Sequence, residues 1–535
     1  MTTTAHDQAT DDVKPEARTP LPEILLSGRA ARLVDAVRST SAEVLDTYAP
    51  YNGALLAEMP QCTEADVHAA FARARVAQRS WAARSVRQRA AVFLRLHDLV
   101  LARQDEIMDL IQAENGKSRR DAFLEVADIA NTARYYARTA PGLLKSRRRT
   151  GLLPGLTAAR EVRQPKGVVM IISPWNYPLA LSVGDTIPAL IAGNAVVQKP
   201  DNQTALTALW GLSIAREAGL PDGVWQMVLG CGSTIGTALI DNADYVMFTG
   251  STPSGKRIAE QAGARLIGCS LELGGKNAML ILDDADLDRT LEGSLRACFS
   301  STGQLCISIE RMYVQDGIYD SFVPKFVEAV KGMKLGAGYD YGYDMGSLTS
   351  AEQLDTVAAH VEDARAKGAT VLAGGQPRPD IGPLFYEPTV LTDVTAAAMC
   401  FGDETFGPLV SIYRFSDVDD AVGRANDSEY GLNASVWSKN ARRGQSVAAR
   451  LHAGTVNINE AYGAAWGSID APMGGMGESG LGRRHGSEGL LKYTEAQTLA
   501  RQRLMNIAPP GNMSHAGFAK LMTTSLKLLR RIGWR

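Results

Sequence analysis

GVVMIISPWNYPLALSVGDTIPALIAGNAVVQKP, residues 167–200, sets the architecture of this chain. Its run Val168–Ile172 is short, uninterrupted and rich in Val and Ile, the pattern of a strand buried on both faces. Pro174 and Pro178 punctuate a turn, a helix-like stretch runs to Gly193, and Ala195–Val197 reads as a second buried strand. Strand, helix and strand in so short a space form a βαβ crossover, hence parallel strands. The 18 uncharged residues Gly167 to Gly184 are also the best candidate for a membrane span, but Pro174, Asn176 and Pro178 lie at their middle and Lys166 and Asp185 bound them. A strand followed by a turn accounts for them better.

The alternation continues outward. Val224–Leu229 and Tyr245–Thr249 extend the series, which predicts a doubly wound α/β sheet. A second series, Ala278–Leu282, Met312–Val314, Val371–Leu372, Leu409–Tyr413 and Thr455–Ile458, predicts another α/β domain. Upstream, Val67, Ala70, Phe71 and Ala74, then Val92, Leu96 and Val100, recur at helical spacing, so residues 62–140 form a helical region. Gly151–Arg163 has weak periodicity and fits a protruding hairpin.

With 535 residues, 45% of them hydrophobic and 21% charged, the chain can bury several cores. A formal net charge of −2 argues against a whole-protein nucleic-acid binder. That figure hides an asymmetry: residues 496–535 hold seven Lys/Arg and no acid, which leaves −9 on the rest. Six cysteines without a CxxC pair fit a reducing compartment, and seven histidines without HxxxH spacing give no support to a metal site. The first 22 residues, with four acids, two bases and no apolar run, lack the form of a signal peptide and are expected to be disordered. A cytoplasmic protein is the expectation.

Four local patterns can carry chemistry. Asn176, in the PWNYP turn after a buried strand, can donate to a developing oxyanion, or serve only as a helix cap. Two glycine patterns, Gly230-Cys-Gly232-Ser-Thr-Ile-Gly236 and Gly250-Ser-Thr-Pro-Ser-Gly255-Lys256, each open a helix whose N–H groups can receive phosphate. The second nearly matches a P-loop, and Asp283-Asp284 follows a strand as a magnesium-holding Asp would; yet Arg257 stands where that loop needs a hydroxyl, which disfavours a nucleotide hydrolase. Glu272, amid apolar residues before Gly274-Gly275, would have its pKa raised toward general-base range if desolvated. Cys306 follows a polar turn read as flexible, which favours an accessible nucleophilic thiol; the other five cysteines read as small buried hydrophobes.

Together these motifs, with Lys199-Pro200, Phe248–Ser251 and Glu404-Thr-Phe406-Gly-Pro408, resemble the aldehyde dehydrogenase superfamily over residues 40–500. The resemblance implies a Rossmann-like cofactor domain, an α/β catalytic domain and a small oligomerisation arm, in a homodimer or homotetramer. It implies these boundaries: residues 1–38 disordered or extended; 39–148 with 165–274 cofactor-binding; 275–475 catalytic; 149–164 with 476–503 arm and closure; 504–535 a basic amphipathic tail. It makes Cys306 the nucleophile that forms a thiohemiacetal and then a thioester, Asn176 and the Cys306 N–H the oxyanion donors, and Glu272 the base that activates water. It assigns cofactor contact to Ser173, Pro174, Trp175, Lys199, Asn202, Gly232, Gly236, Phe248, Thr249, Gly250, Ser251, Leu273, Glu404 and Phe406, and the substrate side to Tyr177, Ser300, Leu305, Ile307 and Trp466. A non-catalytic binding protein is disfavoured because nucleophile, base and donor are all present.

NAD-preferring members usually carry Glu three residues after the lysine, where this chain has Asn202, so NADP is expected over NAD. Residues 303–311, 382–391 and 471–486 are most similar to the bacterial NADP-type succinate-semialdehyde dehydrogenases, which implies succinate semialdehyde as substrate. In better-studied members arginines hold the substrate carboxylate at positions that are Ser300 and Gly184 here. An uncharged or long-chain aldehyde is therefore the alternative, and the tail, with Phe518, Leu521, Met522, Leu528, Leu529 and Ile532 mostly on one helical face, could meet an anionic membrane. A helix docked on the body or on a neighbouring subunit is the other reading of that tail.

Overall fold

The computed structural model describes residues 19–152, 157–503 and 508–533. The disorder expected of the first residues, up to 18, and the terminal Arg535 lie outside them. Residues 167–200 form the strand Val168–Ser173, the helix Pro178–Ile191 and the strand Ala195–Pro200, the two strands running parallel. Helices cover both faces, and Val168 to Ile171 are fully buried. Trp225–Met227 continues the sheet on one side; Tyr245–Thr249 and Gly268–Glu272 continue it on the other. Winding starts at the central strand and goes out first one way, then the other, so a crevice opens beyond the carboxyl ends beside that strand.

The second sheet has seven strands in the order Thr370–Ala373, Thr389–Thr392, Leu409–Phe415, Ile309–Gln315, Asn277–Ile281, Asn433–Trp437 and Thr455–Ile458. All its pairings are parallel except that of the first two strands. Only Leu273–Lys276 separates the end of one sheet from the start of the other, so the active-site elements gather at this junction. The helices Glu64–Ala82 and Val86–Ala102 each open with a reciprocal capping box, Thr63 with Asp66 and Ser85 with Gln88.

Two expectations change. Residues 19–38 are not extended: they contain the short helices Glu23–Leu26 and Arg29–Val34, held by burial of Ile24, Ala30 and Val37 and by an Arg29–Glu106 pair at 2.8 Å. The expected hairpin near Gly151 is part of a larger sheet: its strands pair antiparallel, and a third strand joins them. Thr157–Pro165 is the middle strand of a three-stranded sheet, with Arg147–Arg149 on one edge and Thr494–Gln502, from the far end of the chain, on the other. Backbone groups of a nine-residue strand need partners on both sides, and the short Arg147–Arg149 run supplies only three positions. In the tail, His515–Arg531 is a helix capped by Ser514 with no buried residue.

Candidate active site

Cys306 follows a turn whose shape the sequence does not announce. After the helix Leu287–Phe299, residues Ser301, Thr302 and Gly303 take φ of 53°, 60° and 70°, a left-handed run that costs about 1–3 kcal/mol at each non-glycine position. The turn read as flexible is in fact buried and pinned. The Asp121 carboxylate accepts the Ser301 N–H at 2.9 Å, Thr302 donates to the Gly346 carbonyl at 3.2 Å, and a Cβ on Gly303 would collide with the Gly407 carbonyl. Asn277 donates through Nδ2 to the Cys306 and Ser308 carbonyls, at 2.8 and 2.7 Å, and fixes the loop from the other side. Asn277 was not singled out from sequence; its place directly after Lys276 of the ELGGK motif was the available signal.

Asn176 is freed from capping by a neighbour. The first N–H groups of the helix Pro178–Ile191, on Leu179 and Ala180, donate to Glu125 at 2.8 and 3.0 Å. Glu125 pairs at 2.7 Å with Lys117, both side chains wholly buried; burial pulls the lysine down and the glutamate up, and their mutual attraction opposes both shifts. The Lys117 ammonium also lies 3.7 Å from the Tyr177 ring centroid and donates to the Asn176 carbonyl at 2.6 Å. The Asn176 amide is thus held with Nδ2 donating to the Gln304 carbonyl at 3.0 Å, leaving a second proton for a ligand. The Cys306 N–H donates to no backbone carbonyl among the described residues.

Glu272 ends its strand buried, and its Oε1 has no hydrogen-bond partner among the described residues. Desolvation raises its pKa to about 7, while Arg484 and Lys492 pull the other way. The glycine-rich segment from Met473 to Arg484 folds over it. Gly480, at φ 134°, pairs antiparallel with Glu272, and a Cβ there would collide with the Leu271 carbonyl. Burial likewise pushes the Cys306 thiol up to about 12, again with Arg484 opposing.

Cys306 and Asn176 face a cavity walled mainly by Tyr177, Leu181, Leu305, Ile307, Tyr462 and Trp466. Four of the five substrate-side expectations line it. Ser300 does not: its hydroxyl is 2.8 Å from that of Tyr462, behind the wall. Arg484 lines this cavity too, with Nη2 donating to Asp185 and Thr249 at 3.0 Å each and a buried Nε that has no partner among the described residues.

In the crevice of the first sheet, Ser173 and Thr249 end their strands, Lys199 and Phe248 are the penultimate residues of theirs, and Pro174, Trp175, Gly250, Ser251 and Leu273 lie in the loops beyond. Lys199 Nζ reaches only the Pro200 carbonyl, at 3.3 Å, and pairs with no carboxylate among the described residues. Asn202 accepts the Gly230 N–H at 3.2 Å. The helices Gly232–Asn242 and Thr252–Ala264 begin without a side-chain cap, and the Cα positions of Gly232 and Gly236 are open. Uncapped N–H groups beside an unpaired lysine fit the phosphates of a dinucleotide. Opposite them, Glu404 accepts the Gly275 N–H at 2.8 Å. Glu310, buried against Lys276, accepts the Thr405 and Phe406 N–H groups at 2.9 and 3.0 Å, and the Phe406 ring meets Trp175 edge-on at 5.5 Å.

The P-loop alternative fails on geometry. Lys256 is exposed and paired with Glu478 at 2.6 Å, and Asp284 lies in the turn after a strand of the second sheet, where it accepts from Ser438 and Asn440. Cys231 also departs from expectation: it is exposed at the start of its helix, with Sγ 3.0 Å from the Ser233 hydroxyl.

Fold and crevice together are those of a dinucleotide-dependent α/β oxidoreductase. The chain belongs to the aldehyde dehydrogenase family, whose model matches residues 36–499. A relative from Mycobacterium ulcerans (strain Agy99), named a putative NADP(+) succinate-semialdehyde dehydrogenase 2, is 56% identical over 91% of this chain and 93% of its own length. A second, from Mycolicibacterium smegmatis and likewise named a putative succinate-semialdehyde dehydrogenase of NADP(+) type, is 54% identical over 91% and 94%. Among solved structures, an NADP-dependent enzyme of E. coli superposes with a TM-score of 0.83 at 34% identity, covering 87% of this chain and 96% of that one. Betaine aldehyde dehydrogenase of Staphylococcus aureus in complex with NAD+ gives 0.83 at 32%, covering 89% and 95%.

Proposed function

We propose that this chain oxidises succinate semialdehyde to succinate with NADP, through a thioester on Cys306. The observation that carries this reading is the convergence on one cavity of the Cys306 thiol and the Asn176 amide, with the buried Glu272 close enough for its charge to act on the thiol. The Cys306 thiol gives up its proton to solvent, its thiolate sulfur attacks the aldehyde carbon, and the carbonyl oxygen takes negative charge beside the free Asn176 proton and the Cys306 N–H. The bound dinucleotide would supply the oxidising equivalent that raises this carbon to the acid level. Glu272 takes a proton from water, the hydroxide adds to the acyl carbon, and the acid departs as the thiol re-forms. Because this base is present, hydrolysis rather than acyl transfer to another carrier is the expected end of the cycle. The chosen substrate and cofactor rest on the names of relatives above 50% identity.

The cofactor would lie along the uncapped helix starts, with Lys199 and Asn202 at the adenosine ribose and Glu404 at the other ribose. Asn202→Glu is expected to lower kcat/KM for NADP by about 10–100-fold and to affect NAD far less, since a carboxylate there faces the 2′-phosphate with like charge. Steady-state kinetics with succinate semialdehyde, butanal, a long-chain and an aromatic aldehyde, each with NAD and NADP, test the whole reading; preference for an uncharged aldehyde would overturn the substrate.

In this reading residues 39–148 and 165–274 hold the cofactor, 275–475 present the nucleophile, and 149–164 with 476–503 join copies into a homodimer or homotetramer. The strand Thr494–Gln502 is exposed along almost its whole length, and an open edge of this kind asks for cover. The tail supports contact with an anionic membrane by a cytoplasmic enzyme. On the helix His515–Arg531, Phe518, Met522, Leu526 and Leu529 share one face, Lys520, Lys527 and Arg531 lie opposite, and none is buried. Co-sedimentation with anionic vesicles is expected, and it should be lost at high salt or on truncation after Pro509.

A further inference from the structure

We infer that Arg484 is the residue that grips the substrate's distal carboxylate; this rests on the proposed succinate-semialdehyde reading. The case is built from the wall of the reaction cavity. Apart from the polar donor Asn176 and Cys306 itself, the lining is aliphatic or aromatic, and Arg484 is its one permanent charge. A carboxylate entering an apolar cavity is stable only against a cation or several donors.

The guanidinium is arranged to receive such a group. Its side chain is 12% exposed, so little water competes for it. Asp185 and Thr249 both engage Nη2, which fixes the plane of the fork. The buried Nε–H donates to no acceptor among the described residues, so it is a donor that a ligand oxygen can engage. Guanidinium presents its remaining N–H groups in one plane, the geometry that matches carboxylate.

The surrounding charge also calls for an anion. Arg484 and Lys492 line an adjoining cavity together with Asp185 and Asp128. Burial pushes Asp128 up to about 8, which weakens it as a counter-charge to the two cations, and Asp185 is the carboxylate that pairs with Arg484. Gly184 lines the same cavity and brings no side chain; a Cβ there would meet Ile129 and Asp128. The arginine therefore reaches the site from the glycine-rich closing segment, not from the helix Pro178–Ile191 or from the turn before Cys306.

Two aldehydes of equal length, succinate semialdehyde and butanal, separate this role from a structural one. Wild type is expected to favour the charged aldehyde. Arg484→Met should lower the ratio of kcat/KM for succinate semialdehyde over butanal by about 30–100-fold, mainly through KM, and Arg484→Lys by about tenfold. If Arg484 acts only by holding Asp185 or tuning Glu272, both aldehydes will lose kcat together and the ratio will stay put, which overturns the inference. Since a variant of a buried arginine can misfold, wild type gives a second readout: succinate should slow alkylation of Cys306 by iodoacetamide at concentrations where butyrate does not. Equal protection by the two acids overturns the assignment as well. A wild type without preference for succinate semialdehyde would instead remove the substrate reading beneath it.

Discussion

Cys306→Ser should lower kcat/KM by about 10³–10⁵-fold with the fold and dinucleotide binding intact, as read by steady-state kinetics beside a thermal melt and cofactor titration. A serine hydroxyl of the same shape keeps the loop contacts, because the groups that hold this loop, Asn277 and Asp121, bind backbone atoms of Cys306, Ser308 and Ser301. What is lost is the nucleophile's intrinsic reactivity. Burial pushes the thiol up to about 12, so the resting site favours the thiol over the thiolate and relies on the intrinsic reactivity of sulfur. Removing the far more reactive sulfur from a site that supplies so little anion leaves almost nothing. Full activity in the serine variant would remove Cys306 from the mechanism.

Those loop contacts also mark where sequence reading stopped. Tyr245–Thr249 and Thr455–Ile458 are legible to the residue, because a short apolar run between polar turns has few other readings. The strand Gly268–Glu272 is not. It begins Gly-Cys-Ser, and what makes it a strand is pairing with Tyr245–Thr249 on one side and Gly480–Leu481 on the other. Long-range pairing leaves no local trace.

The site divides in the same way. Cys306, Glu272 and Asn176 sit in motifs and could be named. Lys117, Glu125, Asp121 and Glu310 are charged residues that sequence alone would place in solvent, yet each is buried and holds a loop or helix start. Arg484 lay in plain view within a basic, glycine-rich stretch. Nothing local told which of Arg483 and Arg484 turns inward; that follows from Gly480 docking on Glu272 and from Asp185 waiting across the cavity.

Glu272→Gln is the second large effect expected, about 10²–10⁴-fold in kcat, and its signature is kinetic. The amide keeps the size of the side chain and cannot take a proton from water. Attack by Cys306 and formation of the acyl-enzyme do not require water, so the variant should still give one rapid equivalent of reduced cofactor per active site and then stall. A stopped-flow burst followed by a slow steady state reports this. The pH profile supplies an independent check. Desolvation raises the Glu272 pKa to about 7; the carboxylate form is the active base, so deacylation is favoured above pH 7 and falls about tenfold per pH unit well below it. Wild type should therefore show an acid limb near 7 in kcat when deacylation limits turnover, and the glutamine variant should lack it. A variant that loses the burst along with the steady state would place Glu272 before the thioester, as the acceptor of the Cys306 proton, and would reassign its role in the cycle.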